Sequence, residues 1–499
     1  MVRSLSVRKI AHSSRHSIVD FLKQSQQPQS QSPLSPRSAV LPVAYSRARG
    51  RRAWTMTATS SRSAVCMEDC PEGSQRDTGV ASQGVPLPPI PNGATGAAAV
   101  AGSGILTRVV PSEEPWLTEA GVRLREGKLV AFPTETVYGL GANALSETAV
   151  LRIFQAKQRP LTDPLIVHVP DTTSALAVVD FEGEGGGGDR ARRLFALLGE
   201  KLWPGPLTLI LKAAKGLPSC VTAETGFVGV RCPAHPFTRK LLSLAGVPVA
   251  APSANRFGHV SPTQAVHVMK DLGASDILVL DGDESGACGV GIESTVAKID
   301  IANERILILR MGGVTQDRLR EALMEGGEEF TRISVYAGSI AGGKAVVKSR
   351  VGEVEQACEG GESTEAEGQA PGQLLRHYSP DLEVFRVVGV TAADSEGRIG
   401  NIREGGSLEA MARTSVVIDF AGQLKGLEAV ALAYSDLSVK GDVEEAAKGL
   451  FRALRWAEGQ PAAQRLLVID VPSCTSGDLA AAVNDRIYRA ASGKTISAA

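Results

Sequence analysis

The sequence contains few cysteines and has almost no net charge. Seven cysteines are scattered over 499 residues, which suits a reducing compartment better than a disulfide framework. Cys66 and Cys70 are the one close pair, and no second Cys/His cluster near them completes a zinc site. The formal net charge of -1 argues against a nucleic-acid-binding surface over the whole chain and leaves room for a local basic groove.

Long hydrophobic runs and familiar catalytic motifs are also missing. No stretch approaches the ~20 consecutive apolar residues of a membrane-spanning helix, so we expect no membrane partner. The sequence shows no Ser-His-Asp or H-E-x-x-H constellation, and "SGKTIS" lacks the upstream glycine of a P-loop. The chain does have 43% hydrophobic residues and a length that suits two or three domains.

Residues 1–110 differ in composition from the rest. Up to Glu68 the one acidic residue is Asp20, while Arg and Ser recur throughout. This composition predicts a disordered N-terminal extension and is typical of a transit peptide. The alternatives are a tail without an address, or an extension that is bypassed by starting at Met56 or Met67. We therefore expect a cytoplasmic protein, with a mitochondrial or plastid pool if the extension is a transit peptide.

Residues 111–325 mix helical spacing with short apolar strands in an irregular order. "SETAVLRIFQAKQ" and "RARRLFALLGEKLW" have helical periodicity, while "LTLILKA", "FVGVR" and "ILILRMG" are typical of buried strands. The pattern predicts an α/β domain with a twisted, mixed sheet. Residues 326–381 are polar and glycine-rich, as expected of a linker.

Residues 382–494 show a cleaner alternation. The strands "LEVFRVV", "TSVVIDF", "EAVALAY" and "RLLVID" precede or follow two long helices. This order predicts a smaller, Rossmann-like parallel α/β domain.

The strongest local signal for chemistry is "FQAKQRPLTDPLIVHV". Pro160 biases Arg159 out of the helix and into an extended loop, where Lys157 and Arg159 could converge on one anionic group. The alternative is a solvated helix C-terminus, where cations are favoured anyway.

A second signal is "VPVAAPSANRFGHVSPT". A buried strand runs into short polar side chains, and Ser253 and Asn255 could offer a hydroxyl and an amide to phosphate oxygens or a hydrated metal ion. The alternative is an ordinary turn built from its usual residues.

Two further arginines, Arg231 and Arg310, end apolar strands. Each could bind a carboxylate or phosphate through two parallel hydrogen bonds, or could simply lie at an exposed strand end. His168, within "LIVHV", would by itself more often be a core histidine than a ligand.

The stretch "FPTETVYGLG" at residues 132–141 looks like a strand that enters a glycine-rich turn. It lacks the third glycine of a dinucleotide fingerprint. Its hydroxyls, Thr136 with Thr134 nearby, suit a small polar substrate better than a pyrophosphate. We expect the glycines to let the turn approach a pocket.

Taken in order, these stretches resemble the YrdC/Sua5 family, the threonylcarbamoyl-adenylate synthases of tRNA modification. The matching segments are "FPTETVYGLG", "KQR", "PLIVHV", "PGPLTLIL", "VRCP", "APSAN", "GIESTV" and "LRMG". The K-x-R…S-x-N signature of the family is present as Lys157, Arg159, Ser253 and Asn255. The linker "PGQLLRHYSP" and the last domain resemble the longer, Sua5 branch, and the match runs over residues 111–494.

The resemblance implies a YrdC-like catalytic domain and a reaction. L-threonine, bicarbonate and ATP would give L-threonylcarbamoyl-adenylate and pyrophosphate, with Mg²⁺ accompanying ATP and no separate metal site on the protein. A partner complex would transfer the threonylcarbamoyl group to adenosine 37 of tRNAs that read ANN codons. A carbamate oxygen attacking the α-phosphorus needs positioning and charge stabilisation more than a protein nucleophile, so the missing triad is expected.

The resemblance also assigns residues, motif by motif. L-threonine would be held by Thr136, His168, Arg231, Ala251 and Ser294. The nucleotide would be held by Arg159, Asp163, Thr208, Ser253, Ser261, Arg310 and Tyr378. Lys157 and Asn255 would lie at the phosphates and the metal ion, completing the catalytic set with Arg159 and Ser253. Tyr378 lies in the linker, so the linker would fold over the nucleotide as a lid that excludes water.

Asp163 departs from the family pattern, in which an asparagine is common at this position. It would place a negative charge near a polyanion, unless it binds Mg²⁺ or a ribose hydroxyl. The last helix, with "NDRIYR", is less basic than usual, which weakens the case for RNA contact by the C-terminal domain.

Two other functions fit many of the same residues. A related enzyme could make another carbamoyl adenylate, as hydrogenase-maturation proteins do, although their acylphosphatase and zinc-finger segments are not visible in this sequence. A non-catalytic module could bind tRNA or double-stranded RNA in the family's basic concavity. Ser253, Asn255 and Tyr378 together favour catalysis, because a pure RNA binder would need only the basic residues.

Overall fold

Two β-sheets organise the part of the chain that the structure describes. The computed structural model describes residues 107–182, 187–282, 288–337, 370–372, 374–389, 408–472 and 477–497. Nearly all of the predicted N-terminal extension and most of the predicted linker lie outside these residues.

The larger sheet contains strands from the first part of the described chain. They are β1 (Arg108–Pro111), β2 (Leu129–Phe132), β3 (Gly139–Asn143), β4 (Ile166–His168), β5 (Leu207–Lys212), β6 (Phe227–Arg231), β7 (Val249–Ala250), β8 (Ile277–Asp281), β9 (Thr295–Asp300), β10 (Arg305–Arg310) and β11 (Ser334–Ala337). Their spatial order is β1-β8-β2-β3-β7-β4-β6-β5-β9-β10-β11. The sheet contains both parallel pairs, such as β4 with β6, and antiparallel pairs, such as β5 with β6, which confirms the predicted mixed sheet.

Helices cover both faces of this sheet. They are α1 (Trp116–Arg125), α2 (Glu147–Lys157), α3 (Thr172–Ala175), α4 (Gly188–Leu202), α5 (Ser219–Thr222), α6 (Pro236–Ala245), α7 (Ala265–Leu272) and α8 (Gln316–Glu325). Alternate residues of β2 separate two cores, since Val130 and Phe132 pack with α1 and α6 while Leu129 and Ala131 pack with α2, α4, α7 and α8.

Helix α2 shows how local sequence sets an element that the site depends on. Ser146 caps it by accepting a hydrogen bond from the backbone N–H of Ala149 (3.3 Å), a standard way to satisfy a free N–H group at a helix start. Gln158 ends the helix with a left-handed backbone (φ 53°), so the chain turns sharply before Arg159.

The glycines of "FPTETVYGLG" do not form the turn that the sequence predicts. Gly139 and Gly141 lie in strand β3, antiparallel to β2. A Cβ atom at Gly141 would lie 2.6 Å from the Phe132 ring and 2.8 Å from Val249. These glycines therefore allow an aromatic ring to pack across the strand, and the turn is made by the Pro-Thr-Glu-Thr segment before them.

The smaller sheet is entirely parallel, as predicted. Its strands are β12 (Glu383–Val388), β13 (Ser415–Asp419), β14 (Ala433–Asp436), β15 (Arg465–Ile469) and β16 (Thr495–Ser497), in the order β14-β13-β15-β12-β16. The accompanying helices are α9 (Leu408–Ala412), a 3₁₀ turn (Lys425–Leu427), α10 (Val443–Glu458) and α11 (Gly477–Ala490).

Two details of the smaller sheet differ from the sequence prediction. The predicted strand "EAVALAY" begins only at Ala433, because the residues before it form turns in which Val430 and Ala431 pack against the core. The C-terminal "KTIS" supplies the short edge strand β16, which pairs with β12. The apolar content of the first segment predicted a strand, but its partly buried side chains lie on a turn.

A buried charge cluster joins the two sheets' domains. Arg455 on α10 pairs with Asp271 at the end of α7 (2.9 Å). His259 lies between Asp271 (2.8 Å) and Glu458 (2.7 Å), and Lys270 also contacts Glu458 (2.7 Å).

The region with described coordinates contains no helix that is long and apolar enough to cross a membrane.

Candidate active site

A cavity lies where the larger sheet, the "PSAN" loop and the end of the linker meet. Its empty volume is about 570 Å³, part of it open to solvent. Nine of the fourteen residues that sequence analysis assigns to the site line this cavity: Thr136, Arg159, His168, Arg231, Ala251, Ser253, Ser294, Arg310 and Tyr378.

The other five predicted residues lie behind the cavity wall. Three contact a lining residue through their side chains: Asp163 pairs with Arg159 (3.0 Å), Thr208 bonds to Ser294 (2.8 Å) and Ser261 donates to Glu293 (2.6 Å). The remaining two, Lys157 and Asn255, donate hydrogen bonds to backbone carbonyls in and beside the "PSAN" loop. Sequence analysis therefore identified both the wall and much of its support, without separating them.

Arg159 lies just beyond α2 and is held by the loop that follows it. Its Nε donates to the carbonyl of Asp163 (3.1 Å) and its Nη2 to the carbonyl of Pro164 (2.8 Å). Burial lowers the pKa of Arg159, and the neighbouring Asp163 carboxylate opposes that shift. Burial likewise raises the pKa of Asp163, against the effect of Arg159. The guanidinium is thus a fixed cation on the cavity wall.

Arg310 ends β10 and is oriented mainly by carbonyl groups. Its Nε and Nη2 donate to the carbonyl of Ser294 (3.2 and 3.0 Å), and Nη2 also reaches the Ser294 hydroxyl (3.2 Å). Nη1 donates to the carbonyl of Pro371 in the linker (3.2 Å). Carbonyl oxygens fix the direction of the guanidinium without cancelling its charge.

Arg231 ends β6 and has a different set of partners. Its Nη2 pairs with Glu135 (2.6 Å), and its Nη1 donates to the Thr136 hydroxyl (2.9 Å). The other Glu135 oxygen accepts from the backbone N–H of Ala234 (3.0 Å). A carboxylate fixed in this way both orients and neutralises Arg231.

The two threonines of "FPTETVYGLG" form a compact hydroxyl pair. Thr134 Oγ1 donates to the carbonyl of Val137 (2.6 Å) and lies 2.8 Å from Thr136 Oγ1. Thr134 Oγ1 also accepts from the backbone N–H groups of Thr136 (3.1 Å) and Val137 (3.2 Å), whereas Thr136 Oγ1 accepts from Arg231 with one of its two lone pairs. Thr136 therefore presents an acceptor lone pair to the cavity.

His168 is a neutral wall residue. It lies in β4, which pairs with β6 and β7. Burial, with a further contribution from Arg231, lowers its pKa to about 3. Its Nδ1 is buried and has no hydrogen-bond partner in the described structure. An uncharged imidazole with a free ring nitrogen can bind one polar substrate atom.

Lys157 does not reach the cavity, contrary to the expectation that it converges with Arg159 on one anion. Its ammonium donates to the carbonyls of Ser253 (2.6 Å) and Asn255. The Asn255 side-chain amide in turn donates to the carbonyls of Arg256 (2.7 Å) and His259 (2.8 Å). In this structure both residues shape the "PSAN" loop that presents Ser253 to the cavity.

The end of the linker forms one wall of the cavity. Pro371, Gly372, His377 and Tyr378 all line it. The Tyr378 hydroxyl and His377 Nδ1 are buried and lack hydrogen-bond partners among the described residues. Burial raises the pKa of Tyr378 to about 12 and lowers that of His377 well below its usual value, so both side chains are neutral donors or acceptors near neutral pH.

Sequence reasoning missed three residues at the site. Glu293 lines the cavity and belongs to the quoted "GIESTV" stretch, His377 precedes Tyr378, and Glu135 lies between the two threonines. A carboxylate next to predicted anion-binding residues could have indicated Glu135 and Glu293, because such a carboxylate must pair with a cation. For Glu135 that cation is Arg231, and for Glu293 it is Arg486 (3.2 Å).

The sequence matches two family profiles and several known proteins. A family profile described as "Telomere recombination" matches residues 122–312, and one described as "Threonylcarbamoyl-AMP synthase, C-terminal domain" matches residues 314–492. A threonylcarbamoyl-AMP synthase of Pyrococcus abyssi is 37% identical over 339 residues, covering 66% of this chain and 82% of the relative. The chain belongs to the YrdC/Sua5 family.

Other members of the family support the same assignment. A threonylcarbamoyl-AMP synthase of Bacillus subtilis is 40% identical over 219 residues, and the match covers 59% of that relative. One of Schizosaccharomyces pombe is 37% identical over 282 residues, and the match covers 62% of it. The crystal structure of P. abyssi Sua5 complexed with L-threonine is 32% identical and has a TM-score of 0.59. It covers 79% of this chain and 99% of the other.

Proposed function

We propose that this protein is an L-threonylcarbamoyladenylate synthase that forms threonylcarbamoyl-AMP and pyrophosphate from L-threonine, bicarbonate and ATP. The observation that carries the proposal is the meeting of three buried arginines, Arg159, Arg231 and Arg310, around one cavity lined with hydroxyl groups. A carboxylate, bicarbonate and a triphosphate need several fixed cations in one place. Relatives named threonylcarbamoyl-AMP synthase and a Sua5 complex with L-threonine supply the substrate class.

We assign L-threonine to the part of the cavity around Thr136, His168 and Arg231. Arg231 can bind the amino-acid carboxylate, and the Thr136 oxygen can accept from the substrate hydroxyl or amine. Ala251 and Ser294 also line the cavity, and we place Ser294, which accepts from Arg310, where the two parts meet. The small Ala251 side chain leaves room for the substrate methyl group.

We assign ATP to the part of the cavity around Arg159, Arg310 and the linker. Arg159 and Arg310 face the phosphates, with the Ser253 hydroxyl beside them. Asp163, Thr208 and Ser261 support this end through their contacts with Arg159, Ser294 and Glu293. Lys157 and Asn255 act by holding the loop that carries Ser253.

The proposed chemistry uses no protein nucleophile. The threonine amine and bicarbonate give a carbamate with loss of water. A carbamate oxygen then attacks the α-phosphorus of ATP and forms a new phosphorus–oxygen bond. The bond between the α-phosphorus and the oxygen that bridges it to the β-phosphorus breaks, and pyrophosphate leaves. Arg159 and Arg310 stabilise the charge that develops on the phosphoryl oxygens.

Mg²⁺ enters this scheme as part of the nucleotide substrate. Glu293 is the one carboxylate among the described lining residues, and both its oxygens already accept hydrogen bonds. The donor set therefore does not fit a separate metal site, and the phosphates would carry the ion.

The linker would act as a lid at the nucleotide end. Tyr378 and His377 place neutral, unpartnered polar atoms on that wall, which can bind the nucleotide once it is present. A closed lid would also keep water from a labile acyl adenylate. The product would pass to a complex that transfers the threonylcarbamoyl group to adenosine 37 of ANN-decoding tRNAs.

Pyrophosphate release from ATP by the purified chain tests this function. We expect release to require both L-threonine and bicarbonate. Release that ignores threonine would contradict the substrate assignment. Salt-sensitive binding of double-stranded RNA without any turnover would favour the RNA-binding module instead.

A further inference from the structure

Glu293 is an unexpected neighbour for a triphosphate. It is buried, it lines the cavity, and its charge has the same sign as the phosphates. Oε1 accepts from the Ser261 hydroxyl (2.6 Å), and Oε2 accepts from Nε of Arg486 (3.2 Å). Ser261 contributes no charge, so Arg486 is the cation that pairs with this carboxylate.

Arg486 comes from the C-terminal domain, on α11. Its side chain is fully buried, and its guanidinium carbon lies 5.6 Å from the centroid of the Tyr378 ring. Nη1 donates to the carbonyl of Ala482 (3.2 Å) and to Asp485 (3.4 Å) on the same helix. One guanidinium thus contacts two cavity residues, Glu293 and Tyr378, while its own helix fixes its direction.

We propose that Arg486 is a positioning residue for the nucleotide, through which the C-terminal domain completes the active site. It holds Glu293 against Ser261, cancels the charge of that carboxylate, and lies over the Tyr378 ring. The inference rests on the proposed function in naming ATP as the ligand. It assigns the C-terminal domain a part in substrate binding beyond packing against the catalytic domain.

The charges predict a specific pattern of coupling. Without Arg486, Glu293 is left as an unpaired carboxylate, whose field is weakly screened because the side chain is buried. It would repel the triphosphate. Removing the Glu293 charge as well would relieve that repulsion, so the two substitutions should not be additive. Arg231 and its Glu135 partner lie at the other end, so threonine binding should change little.

Calorimetric titration of the full chain with α,β-methylene-ATP and Mg²⁺ tests the proposal. We expect Arg486→Gln to weaken binding about tenfold, which corresponds to roughly 1.4 kcal/mol. Adding Glu293→Gln to that variant should restore the affinity to within about threefold of the parent. Arg386→Gln is the matched control, because it removes a pair with Asp470 within the same domain (2.6 Å), and it should leave binding unchanged.

Two results would overturn the proposal. One is an Arg486→Gln affinity no lower than that of Arg386→Gln; the other is a double variant at least as weak as Arg486→Gln alone. If Arg486→Gln does not fold, Arg486→Met, which also removes the positive charge, takes its place, and an unchanged affinity in that folded variant would also overturn the proposal. Analogue binding needs neither threonine nor bicarbonate, so a parent chain that binds the analogue but releases no pyrophosphate contradicts the proposed function alone.

Discussion

Arg231 and Arg310, at the two proposed ends of the cavity, have different hydrogen-bond partners. At the proposed threonine end, Arg231 is paired with Glu135 and bonded to Thr136. At the proposed nucleotide end, Arg310 is held by the carbonyls of Ser294 and Pro371 and by a hydroxyl. The first arrangement is close to neutral and suits a zwitterion. At the second end Arg159 is also paired with a carboxylate, that of Asp163 (3.0 Å), so Arg310 is the arginine that keeps its positive charge, which suits a polyanion.

The ends also differ in what closes them. The catalytic domain alone supplies Thr136, His168 and Arg231, whereas the linker residues His377 and Tyr378 form a wall at the nucleotide end. The Tyr378 hydroxyl and His377 Nδ1 lie on this wall and lack hydrogen-bond partners among the described residues. His168 Nδ1 at the proposed threonine end lacks one as well, so both ends offer polar atoms to a ligand, and the ends differ in the part of the chain that supplies them.

The largest effect should come from removing a cation at the nucleotide end. Arg159→Ala should lower pyrophosphate release by roughly 100-fold or more, because it removes a fixed charge that acts on the developing phosphoryl oxygens. Steady-state assays at saturating L-threonine measure the loss. Arg152→Ala is the control: this exposed arginine on the preceding helix α2 donates to the carbonyl of Gly127 (2.8 Å). Equal losses in the two variants would contradict a catalytic role for Arg159.

A smaller and selective effect is expected at the threonine end. Glu135→Gln removes the carboxylate that orients Arg231, so the KM for L-threonine should rise about tenfold, the scale of a lost charge-assisted hydrogen bond. The KM for ATP should stay within about twofold of the parent value. Initial rates with each substrate varied in turn separate the two constants. A parallel rise in both would show that the two ends are not independent.

Substitution of Tyr378 should change activity and stability in different directions. Tyr378→Phe deletes a buried hydroxyl that has no hydrogen-bond partner among the described residues, so the free energy of unfolding should stay the same or rise by about 1 kcal/mol. The KM for ATP should nevertheless increase several-fold if the hydroxyl contacts the nucleotide. A melting curve and a kinetic titration on the same preparation test both statements. Loss of stability with an unchanged KM would assign the hydroxyl to packing instead.

Much of the fold and the site can be predicted from the sequence, because the relevant signals are local. Strand ends such as Arg231 and the Ser146 cap of α2 are visible as residue patterns. The position of Lys157 is not, since its ammonium binds carbonyls of a loop about 100 residues away. Gly139 and Gly141 mislead for a similar reason: their function depends on a Phe132 ring that only strand pairing brings close. Long-range partners decide these roles.

The smallest effect concerns the joint between the domains and depends on pH. Burial disfavours the charged form of His259, but hydrogen bonds to Asp271 and Glu458 outweigh it and raise the pKa of the histidine. Both carboxylates keep lowered pKa values, that of Glu458 about 2. Arg455 and Lys270 also face the cluster. The stabilisation from His259 is thus fully present below its unfolded pKa of about 6.5 and is lost as pH rises through the higher folded value.

Urea unfolding at about pH 6 and about pH 9 tests this linkage. The parent chain should lose on the order of 1 kcal/mol more stability between the two pH values than His259→Gln does. At each pH the two proteins should have the same KM for L-threonine, because the threonine end lies in the catalytic domain alone. An identical pH dependence in the two proteins would rule out His259 as the titrating group.

The central claim is that both ends of one cavity take part in a single condensation. Mass spectrometry of a reaction containing isotopically labelled bicarbonate, L-threonine and ATP tests it most directly. We predict an adenylate that carries the label and the mass of a threonylcarbamoyl group, formed in step with pyrophosphate. ATP consumption without a labelled, threonine-containing adenylate would contradict the account.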